Sequence, residues 1–280
     1  MKSDNKSKRF LFLAIWLLII AIIIVGIVAF WPPGAKHETI KETMQDGVLH
    51  EHNRISLFGL EVNPALISAY IVTAVLLIAA ALIRIFAIPK FKLIPGKFQS
   101  IIEKLVEFFS DMANNNSHHK PKFIGAYIFG AGVYIFFSTI FELFGIQAVT
   151  TDGASISLPA PISDINAAIA LGVLSYAIIL GAGIRFGGLR GALGVLKDFS
   201  LPISMSFRLF GALLSGLLVT ELVYYYVGLS FVLPVIVAVL FTLLHALIQT
   251  YVLATLVSIF YGEAVEPKPK KVKVKKKEVI

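Results

Sequence analysis

Four side chains that can carry a charge near neutral pH lie well inside long apolar stretches of this sequence, away from their ends: Glu142, Arg208, Glu221 and His245. Placing such a group at the middle of a membrane helix costs about 2.5 to 3.5 kcal/mol on insertion scales. Groups that are kept in spite of this cost commonly pair with, bind or pass on an ion. The chemistry that they indicate is ion or proton transfer through an apolar medium.

Arg208 carries the most informative of these charges, because a guanidinium with a pKa above about 12 stays protonated in any protein environment. The residues that share its helical face are small and allow another helix to come close: Gly211, Ala212, Ser215 and Gly216. The competing interpretation is an ordinary packing face. Arg208 and Glu221 would then lie near opposite membrane interfaces, about 20 Å apart along the helix axis.

His245 and Gln249 are one helical turn apart and share a face. The simpler alternative for His245 is a buried imidazole that is bonded to a backbone carbonyl. Glu142 and Glu221 have the alternative of neutral acids that form hydrogen bonds within a helix bundle. Asp164 directly precedes an apolar run, so helix capping is its leading alternative. The sequence leaves these alternatives open.

The composition identifies the medium in which these groups lie. Hydrophobic residues make up 57% of the chain and the mean hydropathy is +0.84, so an integral membrane protein is expected. The absence of cysteine excludes disulfides, thiolate metal sites and cysteine nucleophiles. The net charge of +8 comes from basic clusters beside apolar runs, which are typical of membrane topology signals and not of nucleic-acid binding. His50-Glu51-His52 lacks the supporting spacing of a metal site.

About six membrane helices are predicted, because a spanning helix needs roughly 20 apolar residues. They cover residues 10–31, 64–88, 123–149, 165–184, 201–227 and 231–261. Apolar residues recur at helical spacing within 95–112, beside charged ones, and indicate one amphipathic helix in the membrane interface. The final span would be about 46 Å long as a helix, which exceeds the thickness of the membrane, so it is expected to tilt. The last two spans are separated by only three residues and are predicted to form a helical hairpin. The predicted fold class is an all-α membrane protein.

The basic clusters predict an orientation and a division into segments. Residues 1–33 are predicted to form a retained anchor helix, with a cleaved signal peptide as the alternative. Residues 34–63 are predicted to be extracytoplasmic, 64–265 to form the membrane domain, and 266–280 to be a disordered basic tail. Both termini then lie in the cytoplasm. A bacterial plasma membrane is expected, because the N-terminus lacks the composition of a transit peptide.

Several motifs resemble those of a single family. Residues 202–211, Pro-Ile-Ser-Met-Ser-Phe-Arg-Leu-Phe-Gly, resemble the arginine signature of the a subunit of F-type ATP synthases. Residues 163–166, Ser-Asp-Ile-Asn, resemble the Asp-x-Asn motif of that family. Each motif is short, and their order along the chain is what makes the resemblance specific.

Two further segments of the sequence extend the resemblance. Residues 95–99, Pro-Gly-Lys-Phe-Gln, together with Glu103 resemble the segment before the second membrane helix of the family. Gln249, followed by Ala-Thr-Leu and then by Tyr-Gly-Glu-Ala at 261–264, resembles the final helix. The matches together cover roughly residues 64–265.

The resemblance implies an ion-translocating stator of a rotary ATP synthase, with a proton or sodium ion as cargo. In that family the arginine, here Arg208, faces a rotating ring of c subunits that each carry a carboxylate, between two offset half-channels. Gln249 supports it. The other candidate channel-lining or supporting residues are Glu142, Asp164, Asn166, Ser204, Glu221 and His245. The implied partners are the c-subunit ring, a b-type peripheral stalk, the remaining ATP synthase subunits and the lipid bilayer, with no cofactor, metal, nucleic acid or catalysis of its own.

The sequence departs from the family pattern near Arg208. The family usually has asparagine four residues after the arginine, where this chain has Ala212, and a carboxylate nine residues after it, where this chain has Leu217. If Arg208 and Gln249 share a depth in an antiparallel hairpin, His245 lies opposite Ala212. We therefore hypothesise that His245 replaces the missing asparagine in lining a half-channel.

Two other classes of protein compete with this interpretation. Secondary transporters often contain repeated halves with interrupted helices around a midplane site, and no such repeat is found in the sequence. A structural membrane scaffold, whose charges only pair within the bundle, is the third interpretation. Purification together with a c ring and a b-type stalk would separate the a-subunit interpretation from both.

Overall fold

A computed structural model of the chain describes residues 15–18, 21, 25, 55–57, 59–117, 121–149, 151, 155–225 and 233–266. The chain divides into two compact units. The smaller unit is Met1–His52 with Ser215–Phe241, and its described residues are all helical; the larger unit is Asn53–Leu214 with Thr242–Ile280. The predicted anchor helix is described only at residues 15–18, 21 and 25, which are helical, and the basic tail after residue 266 lies outside the described residues.

A short antiparallel hairpin precedes the first long helix of the larger unit. Strands β1 (Ile55–Leu57) and β2 (Leu60–Val62) pair, and α1 (Pro64–Leu82) follows at once. Asn63 caps α1 because its side-chain oxygen accepts a hydrogen bond from the backbone N–H of Ala65 at 2.9 Å. The helical path continues through a π-helical turn and a 3₁₀ turn to Lys90.

Helix α2 (Lys97–Asn116) corresponds to the predicted amphipathic helix. The side chain of Gln99 in this helix accepts a hydrogen bond from the backbone N–H of Lys92 at 3.0 Å and donates one to the Lys92 carbonyl oxygen at 2.8 Å. These two bonds hold the segment that connects α1 to α2. Phe109 and Ala113 are buried against α3 (Pro121–Ile140). One face of α2 is therefore used in packing within the larger unit.

The predicted third span ends earlier than expected. After α3, a 3₁₀ turn covers Phe141–Phe144, and Gly145 ends it with a left-handed φ of 58°. Residues Gln147–Val149, predicted as the end of the span, instead form strand β3, which pairs with β4 (Ser155–Ser157). The prediction was too long because the apolar residues of β3 have a hydropathy similar to that of a helix end.

Helix α4 (Ile165–Leu196) consists of two limbs. Gly188 has φ 58° and ψ −147°, which interrupts the helix. The second limb folds back on the first, because the Tyr176 hydroxyl donates to the carbonyl oxygen of Val195 at 3.2 Å, although a straight helix would separate them by about 28 Å. A side chain at Gly191 would collide with the carbonyl oxygen of Gly183. Because the first limb begins at Ile165 and ends before Gly188, it matches the predicted span 165–184.

Helices α5 (Ser200–Tyr225) and α6 (Leu233–Val265) form from the last two predicted spans. Within the larger unit they run antiparallel. Arg208 contacts Gln249, whereas Leu201, near the start of α5, shares a cavity with Ala264, near the end of α6. Residues 226–232, which join the two helices, lie outside the described part of the chain.

Four helical segments in the described residues are long and apolar enough to cross a membrane: Pro64–Lys90, Pro121–Phe144, Ile165–Leu196 and Val235–Val265. The core of the larger unit lies between α2, α3, α4, α5 and α6. Its fully buried side chains include Ile124, Ile128, Ile135, Ile179, Met205, Leu209, Val257 and Tyr261. The predicted class, an all-α membrane protein, is confirmed.

Candidate functional site

Helix α5 has two different faces in its first half. Leu201, Met205 and Leu209 are buried in the core, and their spacing of four residues places them on one side of the helix. Ser206 is buried too, and its hydroxyl donates to the carbonyl oxygen of Pro202 at 2.7 Å, which satisfies it within the helix. The polar side chains that remain on the other side of α5 are therefore free to face outward.

Arg208 lies on this outward face. Ser204, one turn before it, and Gly211, one turn after it, are exposed as well, and a Cβ at Gly211 would meet no atom within 4 Å. Among the described residues, no hydrogen bond or ion pair involves the guanidinium of Arg208. The face thus combines one permanent cation with two small residues, and the exposed ring of Phe207 lies at its side.

Gln249 connects α6 to the backbone of Arg208. Its side-chain Nε2 donates to the carbonyl oxygen of Arg208 at 3.0 Å, and Gln249 itself is only 5% exposed. Its Oε1 is buried and has no hydrogen-bond partner in the described part of the chain. The contact puts Arg208 and Gln249 at the same depth, as the proposed pairing of His245 with Ala212 requires.

His245 is half-buried and lies one turn before Gln249 on α6. Ala246, which follows it, is fully buried. Because α5 and α6 run antiparallel, counting from the contact between Arg208 and Gln249 places His245 beside Ala212. The imidazole is therefore on the side of α6 that is turned toward α5.

Glu142 lies away from the middle of the membrane helix in which the sequence placed it. It is half-buried within the 3₁₀ turn Phe141–Phe144, at the end of the candidate span Pro121–Phe144. Its backbone carbonyl oxygen accepts a hydrogen bond from the N–H of Gly145 at 3.2 Å. Its position at the end of a span lowers the cost of a carboxylate there, because the charge can reach the interface.

Asp164 caps α4, which was the leading alternative for this residue. Its Oδ1 accepts hydrogen bonds from the backbone N–H of Asn166 at 2.9 Å and from the Asn166 side-chain Nδ2 at 3.1 Å. Asn166 is exposed. The two residues of the Asp-x-Asn motif are therefore held together at the start of α4.

The remaining predicted groups are described only in part. Glu221 lies within α5, but its side chain is outside the described residues, as are His50 and His52. Over the described ranges, no group of three or more His, Cys, Asp or Glu side chains could hold a metal ion.

Two glycines that the sequence analysis did not single out allow the helices near Arg208 to pack closely. A Cβ at Gly172 of α4 would collide with the Ser206 hydroxyl and lie 2.9 Å from the carbonyl oxygen of Pro202. The Thr250 hydroxyl, beside Gln249, donates to the carbonyl oxygen of Gly132 in α3 at 3.3 Å. The available signal was glycine inside an apolar helical run, which often marks close helix packing in membranes.

A comparison with protein families places this geometry in context. The model of the family described as ATP synthase A chain matches residues 67–262. The match includes Arg208, Gln249, His245, Asp164 and Glu142. It covers more than two thirds of the chain.

Proposed function

Because the chain belongs to the ATP synthase A chain family, and is thus a multi-pass subunit of an ATP synthase membrane sector, we propose that it conducts ions as the stator of the rotary motor. In this proposal Arg208 separates two half-channels and faces a ring of c subunits. The subunit binds no cofactor and hydrolyses nothing itself. Its cargo is a proton or a sodium ion.

The observation that carries the proposal is the outward position of Arg208, whose guanidinium has no partner among the described residues. A guanidinium cannot release its proton to suit an apolar medium, and an unpaired charge at membrane depth is costly. The described residues of this chain do not pair with it. This supports a counter-charge from another subunit, for which a carboxylate of the c ring has the required sign. The small exposed residues Ser204 and Gly211 leave room for that partner.

The mechanism follows from the charge of Arg208. Two opposite charges 4 Å apart attract by about 4 kcal/mol at an effective dielectric of 20, so a ring carboxylate beside Arg208 favours its ionised form and releases its ion. The same positive charge repels a cation that would pass directly from one half-channel to the other. An ion therefore crosses only when the ring turns, and each charge gains about 2.3 kcal/mol per 100 mV of membrane potential.

The half-channels need polar groups on either side of Arg208. His245, beside Ala212 on the adjoining helix, supplies a group that binds and passes on a proton at neutral pH. Glu142, at the end of its span, is suited to a channel mouth that is open to water. Glu221, Asn166 and Asp164 complete the proposed set, with the capping bond of Asp164 limiting it to a supporting role.

Assembly and placement follow the same proposal. The chain works with the c ring, a b-type peripheral stalk and the other ATP synthase subunits in a bacterial plasma membrane. Both termini lie in the cytoplasm, with residues 1–33 as a membrane anchor, 34–63 outside the cell and 64–265 as the conducting domain. The tail 266–280 is basic and interacts with anionic headgroups.

The proposal is tested by Arg208→Ala in the assembled complex. ATP synthesis driven by an ion gradient in inverted vesicles should be abolished, whereas ATP hydrolysis by the soluble sector should persist. The matched control is Arg84→Ala, because Arg84 is an exposed arginine near the end of the α1 path and can reach the interface. Synthesis retained in the Arg208 variant would defeat the proposal.

A further inference from the structure

A cavity of about 480 Å³ opens where three helix ends meet in the larger unit. Phe123 lies near the start of α3, Tyr261 near the end of α6, and Arg185 near the end of the first limb of α4. All three line the cavity. Because these helices begin or end here, the cavity lies at the boundary of the apolar layer and not at its middle.

Among the described residues, the lining of the cavity is apolar except for the guanidinium of Arg185 and the hydroxyl of Tyr261. Ile178, Gly181 and Phe186 supply apolar surface, and Arg185 is exposed at the same cavity. No carboxylate is present among the described residues that line it. The volume lies within the range of about 300 to 1,000 Å³ that is typical of ligand pockets.

A ligand that matches this cavity must be apolar at one end and anionic at the other. We infer that the cavity binds an anionic phospholipid, with an acyl chain against Ile178 and Phe186 and the phosphate beside Arg185. Guanidinium and phosphate form charge-assisted hydrogen bonds with matching geometry. Basic pockets between membrane helices bind lipid headgroups in this way. The inference does not depend on ion translocation by this subunit.

A neighbouring cavity provides an internal comparison. It has a volume of about 240 Å³ and is lined by Asp198 and Glu263 as well as by Val195 and Phe260. Two carboxylates repel a phosphate, so this second cavity should not bind the same lipid. Charge therefore distinguishes two cavities that lie close together on the same unit.

The inference is tested on the unmodified complex with a phosphatidylglycerol that carries a diazirine in the upper part of one acyl chain, close to the glycerol. After illumination, cross-links should map to peptides that contain Phe123, Ile178 or Tyr261, and not to the peptide that contains Asp198. Excess phosphatidylglycerol should compete with the probe, whereas phosphatidylcholine and inorganic phosphate should not. Equal competition by phosphatidylcholine would show that charge is irrelevant, and competition by inorganic phosphate would show an anion site only. Either result overturns the inference.

Two variants test the two halves of the site separately. Arg185→Gln should lower cross-linking about fivefold, the effect of one basic side chain near an anionic headgroup. Gly181→Leu should lower it as well, because a Cβ at Gly181 meets no atom within 4 Å and the added side chain occupies the cavity. The controls are Arg84→Gln and Gly187→Leu, since Gly187 is equally open but does not line the cavity. Unchanged cross-linking in either test variant would also overturn the inference.

Discussion

The side chain of Gln249 binds Arg208 through the backbone and not through the guanidinium: its Nε2 donates to the Arg208 carbonyl oxygen at 3.0 Å. The bond joins two residues that lie on different helices and are 41 residues apart in the sequence. Since it does not involve the charged end of Arg208, the guanidinium remains available to a partner. We therefore propose that Gln249 is a positioning residue, which holds α6 against α5 at the depth of Arg208.

Gln249→Leu should weaken coupling without abolishing it. The substitution keeps the side-chain size but removes the donor, and a hydrogen bond between membrane helices contributes about 0.6 kcal/mol on average. We expect ion-driven ATP synthesis to fall about threefold, far less than for Arg208→Ala.

The control for Gln249 is Thr250→Val, on the next residue of the same helix. It removes the bond from the Thr250 hydroxyl to Gly132 of α3 and leaves the contact with α5 intact. Synthesis should be measured in parallel in inverted vesicles with equal amounts of assembled complex. An equal loss in both variants would attribute the Gln249 effect to general packing and contradict the positioning role.

His245→Ala should reduce ion transport. A positioned side chain that accepts and donates a proton typically contributes about 100-fold or more to the rate of a proton transfer, and no equivalent group stands at Ala212 on the facing helix. His245→Gln, which keeps a polar side chain, should retain more transport than the alanine variant. ATP-driven ion pumping into vesicles measures both, with Leu244→Ala as the control at an exposed neighbour. Unchanged pumping in His245→Ala would refute the half-channel role.

Asp164 offers a test that separates helix capping from ion conduction. Asn caps helices about as well as Asp, whereas Ala costs about 1 kcal/mol at this position. Because Asp164 accepts the N–H of Asn166, Asp164→Asn should preserve both thermal stability and pumping, and Asp164→Ala should lower the stability of the complex. Loss of pumping in a stable Asp164→Asn complex would instead assign the carboxylate a direct part in conduction.

Gly188→Ala should destabilise the fold through the backbone alone. The φ of 58° and ψ of −147° belong to a region that residues other than glycine adopt at a cost of about 1 to 3 kcal/mol. Space is not the cause, because a Cβ at Gly188 meets no atom within 4 Å. Gly187→Ala is the matched control, since Gly187 is equally open and has no positive φ. The half-life of the complex at raised temperature should fall only for the Gly188 variant.

Sequence reasoning succeeded where one residue type has few physical options. A permanently charged guanidinium beside small residues predicted a face that another helix can approach, and Arg208 and Gly211 are both exposed. The part that Arg208 plays in ion transport stays a prediction. The family resemblance is confirmed by the match over residues 67–262. Helix periodicity also located α2, and at Asp164 the structure shows the helix cap that the sequence offered as the alternative to a channel-lining role.

Sequence reasoning failed where the outcome depends on distant contacts. Hydropathy alone extended the third span through Val149, because a strand that pairs with Ser155–Ser157 and a helix end have similar apolar content. The reversal at Gly188 was not predicted, since glycine is common in membrane helices and its φ cannot be read from its neighbours. The collision that any side chain at Gly172 would cause depends on Ser206, which is on another helix.

The close approach of α4 and α5 at Gly172 also determines how α5 responds to sideways load. In the proposed motor, a ring driven past Arg208 pushes back on α5 with equal force. Closely packed atoms have low compressibility and transmit strain, and here Gly172 brings the α4 backbone within reach of the Pro202 carbonyl. We therefore expect the push to pass into α4 with little bending, so that the work of each step turns the ring and does not deform this subunit.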